Sequence, residues 1–268
     1  MRKQENKEQL SYTTYTHPDH KRWIVFVHGA GGSSKTFSRQ IAAFKKHFNL
    51  LLPDMRHHGG SQDLELLSKE EMSFDVVGQD ILSLMDDLGI ETAHFIGISM
   101  GAIVIRMVEQ LAPERIDSII IGGGVMKLNR RTHILFRAGL FFSKLIPYHQ
   151  LYKMVAHILM PRENHAVARR LFVREAGKVK KEAFKSWLSL ISGLKNKLDD
   201  LFIKPLAVPT LMITGAQDFA FLDDVREYAS LFPFVRMAEI PKCGHVCNIE
   251  KADLFNKHSL DFLLSFKS

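Results

Sequence analysis

A serine at position 99 lies in Gly97-Ile98-Ser99-Met100-Gly101. This G-x-S-x-G spacing lets a chain turn sharply from strand to helix and holds the hydroxyl clear of the backbone at the helix N-terminus. A serine hydroxyl is a poor nucleophile at its own pKa, so it needs a base, and the base needs an orienting carboxylate. Alone, the five residues read equally well as a glycine-rich turn. Two other segments change that balance. Gly215-Ala216-Gln217-Asp218 follows an apolar run over residues 211–214, and Cys243-Gly244-His245 follows a run ending at Ile240. Ser99, Asp218 and His245 thus occur in the order serine, acid, histidine, at separations of 119 and 27 residues. They are the expected nucleophile, orienting acid and base for acyl transfer. Such chemistry also needs somewhere to hold an oxyanion. His28-Gly29-Ala30-Gly31-Gly32 follows a further apolar run, and its small residues let backbone N–H groups approach a substrate oxygen. The N–H groups of Ala30 and Met100 are the expected donors. His28, Gly29 and Met126 are expected to border the substrate.

The elements that must position these residues follow from hydrophobic pattern. Short runs over 23–27, 50–52, 94–98, 119–121, 211–214 and 235–240 end in turn residues and fit parallel strands covered on both faces. Helical patterns over 37–48, 74–88, 100–111, 223–232 and 252–266 alternate with them, which implies right-handed crossovers and a doubly wound α/β sheet. Residues 10–16 add an antiparallel edge strand. Every candidate then lies at the carboxyl edge of the sheet, where open α/β sheets place their sites. The alternation stops after Gly124. Residues 125–204 read as consecutive helices over 134–146, 150–159, 164–176 and 179–194, punctuated by Pro147, Pro161 and Gly177. An insertion of this length is too long for a connection and is expected to form a helical cap on a core made of residues 1–124 and 205–268.

Together these segments resemble the α/β-hydrolase fold family, in particular its capped members, over roughly residues 23–262. His28-Gly29-Ala30-Gly31 is similar to the family's H-G-x-G oxyanion loop, and residues 97–101 to its nucleophile elbow. Residues 54–61, Asp-Met-Arg-His-His-Gly-Gly-Ser, resemble its D-x-R-G-H-G-x-S segment. Asp218 and Gly244-His245 resemble its acid and base, and Glu250 and Phe255 the start of its last helix. The resemblance implies a mostly parallel sheet with the cap inserted after the sixth strand. His57 stands where the family usually has Gly, and Ala252 where it usually has Pro.

Other candidates carry less. His57 and His58 could form a metal pair, but no further ligand stands at suitable spacing, and His58 reads better as a loop anchor. Cys243 and Cys247 flank a histidine already needed as base, so free thiols are expected. Asp223 and Asp224 read as first-turn residues of a helix rather than as the acid. Met55, Met72, Met100 and Met126 could line an adaptable apolar pocket or pack the core.

The chain of 268 residues carries 36 Lys and Arg against 29 Asp and Glu, a net of +7. The charge is unevenly placed. Residues 125–204 hold 17 basic and 5 acidic residues, a net of +12, so the remainder is −5. Phe136, Phe141, Phe142, Phe172, Phe184 and Trp187 lie among Arg137, Lys144, Arg169, Arg170, Arg174, Lys180, Lys181 and Lys185. The plain reading is that the aromatics roof the site while the basic residues are solvated. The alternative partner is an anionic membrane surface or lipid-like substrate. Nucleic acid is disfavoured because no nucleic-acid motif accompanies the charge. Two cysteines, a polar N-terminus and no long apolar run point to a reducing, cytoplasmic setting. The expected function is a serine hydrolase acting on a small-molecule ester or related acyl compound without a cofactor. Lactone, thioester or carbon–carbon hydrolysis, perhydrolysis, and ligand sensing with vestigial turnover are the alternatives.

Overall fold

The computed structural model describes residues 9–266 apart from 17, 69–70, 128, 143–144, 194–197 and 199–200. Among them seven strands form one sheet: β1 (Tyr12–Tyr15), β2 (Trp23–Val27), β3 (Asn49–Pro53), β4 (Ala93–Ile98), β5 (Ile116–Gly122), β6 (Thr210–Gly215) and β7 (Val235–Ile240). Their order across the sheet is β1-β3-β2-β4-β5-β6-β7. The edge strand β1 runs antiparallel to β3, and all other neighbours are parallel. Alternation along each strand sends side chains to two buried faces. Val25, Val27, Leu51, Phe95, Ile119 and Met212 pack on one face. Ile24, Phe26, Leu50, Ile96, Ile120 and Ile213 pack on the other. This is why these runs are continuously apolar rather than alternating.

Helices α1 (Ser38–Phe44), α2 (Phe74–Asp87) and α3 (Met100–Leu111) follow β2, β3 and β4. Ser73 caps α2 by accepting the Val76 N–H at 3.2 Å, and Gly89, at φ 64°, turns the chain after it. Helix α1 is shorter than the pattern predicted. It ends at Phe44, and the turn beyond it folds Phe48 back into the core. Between β5 and β6 the described residues include helices α4 (Arg130–Phe142), α5 (Tyr148–Leu159), α6 (Ala166–Ala176) and α7 (Lys181–Ser192). Helices α8 (Leu222–Leu231) and α9 (Ala252–Leu264) complete the chain after β6 and β7. Ala252 is the first residue of α9, the position at which proline is favoured, so the alanine keeps the helix start without the fixed φ.

One expectation needs correcting. Among the described residues the helical insertion follows β5, the fifth strand and not a sixth, because of these strands the short edge strand β1 alone precedes β2. Lys144, the side chain of Phe136, residue 194 and residues 1–8 lie outside the described residues.

Candidate active site

The sheet order reverses between β2 and β4: β3 lies beyond β2 on one side and β5 beyond β4 on the other. A crevice opens at the carboxyl ends of strands at such a reversal. The loop after β2 and the turn after β4 meet there. Ser99 sits in that turn at φ 55° and ψ −116°, a conformation that L-residues rarely adopt. Close packing enforces it. A Cβ on Gly101 would fall 2.2 Å from Val27 O, and one on Gly97 would fall 2.9 Å from the Gly101 carbonyl. The two flanking glycines are therefore a steric requirement of the turn.

The strained turn aims Ser99 at His245. Ser99 Oγ lies 2.9 Å from His245 Nε2, and His245 Nδ1 lies 2.8 Å from Asp218 Oδ2. A carboxylate only accepts, so Nδ1 carries the ring proton and Nε2 is left to accept from the serine hydroxyl. Asp218 is fully buried and His245 nearly so. The loops bearing them are stitched together: Ala216 N–H donates to Ile240 O at 2.9 Å and Gln217 N–H to Cys243 O at 2.8 Å. Gly215 allows the approach, since a Cβ there would meet Gly244 O at 2.2 Å. Burial alone would lower the His245 pKa, but the charge and hydrogen bond of Asp218 outweigh it and hold the imidazole above its ordinary 6.5. A hydroxyl at the cavity, a buried imidazole and a buried carboxylate in series can pass a proton from serine to histidine and stabilise the imidazolium that forms.

The glycine-rich loop is held by two histidines. His28 Nδ1–H donates to Gly29 O at 2.8 Å, and His28 Nε2 accepts the Met55 N–H at 3.0 Å. His58 Nδ1–H donates to Arg56 O at 3.0 Å, and its Nε2 accepts the Gly31 N–H at 3.1 Å. Both rings are buried and must stay neutral to accept these bonds; burial lowers His28 and, with His28 beside it, pushes His58 down to about 3. Asp54 adds a second clasp, accepting the Ser34 N–H at 2.6 Å and the Gly60 N–H at 2.7 Å. Among the described residues no hydrogen bond takes the N–H of Ala30 or Met100. The Met100 N–H opens α3, where helical geometry leaves amide donors free.

Above Ser99 lies a cavity of about 270 Å³. Gly29, Ala30, Ser99, Phe221 and His245 form its floor, and Leu151, Val155, Phe172, Phe184, Trp187 and Ile191 its roof. The roof residues on α5 and α7 recur at helical spacing, so one face of each insertion helix lines the space. Trp187 Nε1–H donates to Arg56 O at 3.1 Å, and Ser33 Oγ donates to Glu175 Oε2 at 2.9 Å, seating the insertion on the loops after β2 and β3. Among the described lining residues none is Lys, Arg, Asp or Glu.

The structure brings Ser99, Asp218 and His245 together and puts Gly29 and Ala30 on the cavity wall. It does not put His28 or Met126 there. His28 is a buried loop anchor, and Met126 packs in the core with Ile121 and Met212. Met55, Met72 and Met100 are likewise core residues. Asp224 sits in the first turn of α8 and accepts from Asn129 Nδ2 at 2.9 Å, which removes it as a rival acid. His57 explains the usual glycine, for it takes φ 65°. Three features were missed. Phe221 lies against the His245 ring at 5.2 Å between centroids. Asn164 and His165 both meet Gln217 Oε1 at 3.0 Å, beside the acid. Glu250 Oε2 accepts the Gly244 N–H at 2.7 Å, beside the base. Only Gln217 and Glu250 had a signal, their proximity in sequence to Asp218 and His245.

With strain at the elbow, a buried relay and a doubly wound sheet in hand, comparison with known proteins agrees: residues 22–252 match the model of the alpha/beta hydrolase fold family, and the chain belongs to it. It is similar to 3-oxoadipate enol-lactonase 1 of Acinetobacter baylyi, with 24% identity over 89% of this chain and 87% of that one. It also resembles 2-hydroxy-6-oxo-6-phenylhexa-2,4-dienoate hydrolase of Burkholderia cepacia, 26% identical over 90% of this chain and 87% of that one. Among solved structures, the enol-lactonase from Burkholderia xenovorans superposes with a TM-score of 0.80 at 24% identity, covering 95% of this chain and 96% of that one.

Proposed function

We propose that this protein is a serine hydrolase that cleaves uncharged, apolar acyl compounds, carboxylic esters in particular. The observation that carries the reading is the continuous hydrogen-bonded series Asp218–His245–Ser99 at the floor of a cavity. In this mechanism His245 Nε2 takes the Ser99 proton as Oγ attacks the carbonyl carbon. The N–H groups of Ala30 and Met100 hold the developing oxyanion, and Asp218 stabilises the imidazolium. His245 then gives that proton to the leaving alkoxide, and the acyl group stays on Ser99. Water, deprotonated by the same imidazole, attacks the acyl-enzyme and releases the acid.

The substrate class follows from the wall. A carboxylate drawn into a low-dielectric cavity needs a cationic partner, and the described lining offers none. The relatives' names contain carboxylate-bearing compounds, an oxoadipate and a dienoate. The similarity to an enol-lactonase supports a second reading, a neutral lactone as substrate, on the same serine. Thioester or carbon–carbon hydrolysis, perhydrolysis and ligand sensing use the same groups and are separated by assay. The test compares p-nitrophenyl hexanoate with the p-nitrophenyl monoester of adipic acid, which differs in its terminal carboxylate. The expected kcat/KM preference for the hexanoate is at least about tenfold, and Ser99→Ala should abolish turnover of both. Equal turnover of the two esters would remove the substrate assignment; turnover by folded Ser99→Ala would remove the nucleophile.

A further inference from the structure

Helix α4 has two unlike faces. Thr132 and Gly139, seven residues apart, line the cavity. On the other side Ile134 is 58% exposed, Phe141 62% and Phe142 41%, and Leu145, just past the helix end, is 64% exposed. Positions separated by seven, eight and eleven residues gather on one face of a helix with 3.6 residues per turn. Arg130 and Arg137 fall on the same side and are also exposed. Large apolar side chains are normally covered, and isolated exposed ones mean little, but three on one side of one helix, with Leu145 just beyond its end, form a patch. Along the helix and the chain on either side of it the charge has one sign, the acidic groups nearest its start, Asp224 and Glu227, being paired with Lys127. Residues 118–162 contain no Asp or Glu, while seven Lys and Arg fall between 127 and 162.

We propose that this face of α4 docks the protein on an anionic lipid surface. Apolar side chains flanked by arginines on one helix are what a helix lying in a membrane interface presents: the rings enter the headgroup region and the guanidinium groups meet lipid phosphates. The one-signed charge selects this occupant over a second copy of the chain, because two such faces would bring like charges together. No helix among the described residues is long and apolar enough to cross a bilayer, so the contact is peripheral. Because the opposite side of the same helix walls the cavity, docking would put the cavity next to a source of apolar acyl compounds. The docking itself does not depend on the proposed hydrolysis.

The test is cosedimentation of the full chain with sucrose-loaded vesicles of phosphatidylcholine, with or without 30% phosphatidylglycerol (about that fraction gives a strongly anionic surface). Binding is expected to the anionic vesicles and to weaken as salt is raised. Phe141→Ser/Phe142→Ser should lower the partition coefficient at least about tenfold, and Arg137→Glu should weaken binding at low salt and flatten its dependence on salt. Neither variant touches the relay, so turnover of a soluble short-chain ester should stay unchanged and report that the protein is folded. No binding to anionic vesicles at low salt would overturn the proposal. So would equal binding by the doubly substituted protein, or a wild-type dimer that the double substitution converts to monomer.

Discussion

His245 acts as a base only when neutral, yet Asp218 raises its pKa above 6.5 against the opposing effect of burial. The rate should carry that signature. On the acid side kcat/KM is expected to rise with pH as one proton leaves and to level off above an apparent pKa higher than 6.5. Asp218→Asn removes the charge that lifts the imidazole and the acceptor that fixes its tautomer. It should therefore lower the apparent pKa and reduce kcat/KM by about 10⁴. A substituted enzyme with an unmoved pH profile would contradict the assigned acid. These three residues were legible because each follows a predicted strand and their chain order matches the chemistry. His58 was legible as a loop anchor but not the loop it holds, and the part of His28 was less so. Each ring binds a backbone amide 27 residues away, and no local pattern marks such a bond. His28 was accordingly expected beside the substrate, whereas it braces the loop that faces it.

At the scale of the element, the nucleophile turn holds Ser99 at φ 55°, where only glycine is free of strain. Ser99→Ala and Ser99→Gly both lose the hydroxyl, so their difference isolates the backbone. Ser99→Gly should be the more stable by about 1 kcal/mol in urea denaturation, the relieved strain outweighing the added entropy of the unfolded chain. Equal stability would mean the turn is unstrained. Gly97 and Gly101 behave oppositely. Adding a Cβ at Gly101 drives it into Val27 O, so Gly101→Ala should cost at least about 2 kcal/mol and displace the elbow, seen as a lower unfolding midpoint and lost turnover. Strand positions were legible from continuous apolar runs, and the four insertion helices from their periodicity and the breaks at Pro147, Pro161 and Gly177. The orientation of those helices was not. Spacing says that Phe184, Trp187 and Ile191 share a face, but tertiary contacts such as the Trp187 bond to Arg56 O decide that this face looks into the cavity.

Across the whole molecule, the net charge of +7 divides into a mildly acidic sheet domain and a strongly basic helical insertion. The insertion turns an uncharged, largely aromatic and aliphatic face inward and leaves Arg130, Arg137, Lys181 and Lys185 exposed. Net charge alone could not predict that separation, because it depends on how four helices settle over one sheet. Stability should depend on pH through the buried histidines. His57 is held down to about 4 and His58 to about 3, both chiefly by burial. Below pH 6.5 the unfolded chain takes up protons that the native state refuses, so stability is complete above 6.5 and falls as the pH drops toward those values. His58 alone should contribute a slope of up to about 1.4 kcal/mol per pH unit. Urea midpoints that stay constant from pH 7 to 5 would contradict the neutral, buried state assigned to these rings. The central claim is that Ser99, activated by His245, is the acylated group. Peptide mapping after reaction with a fluorophosphonate tests it most directly: the account predicts one adduct per chain, on Ser99, with turnover lost in proportion to labelling. Labelling elsewhere, or full labelling of Ser99 with turnover intact, would contradict it.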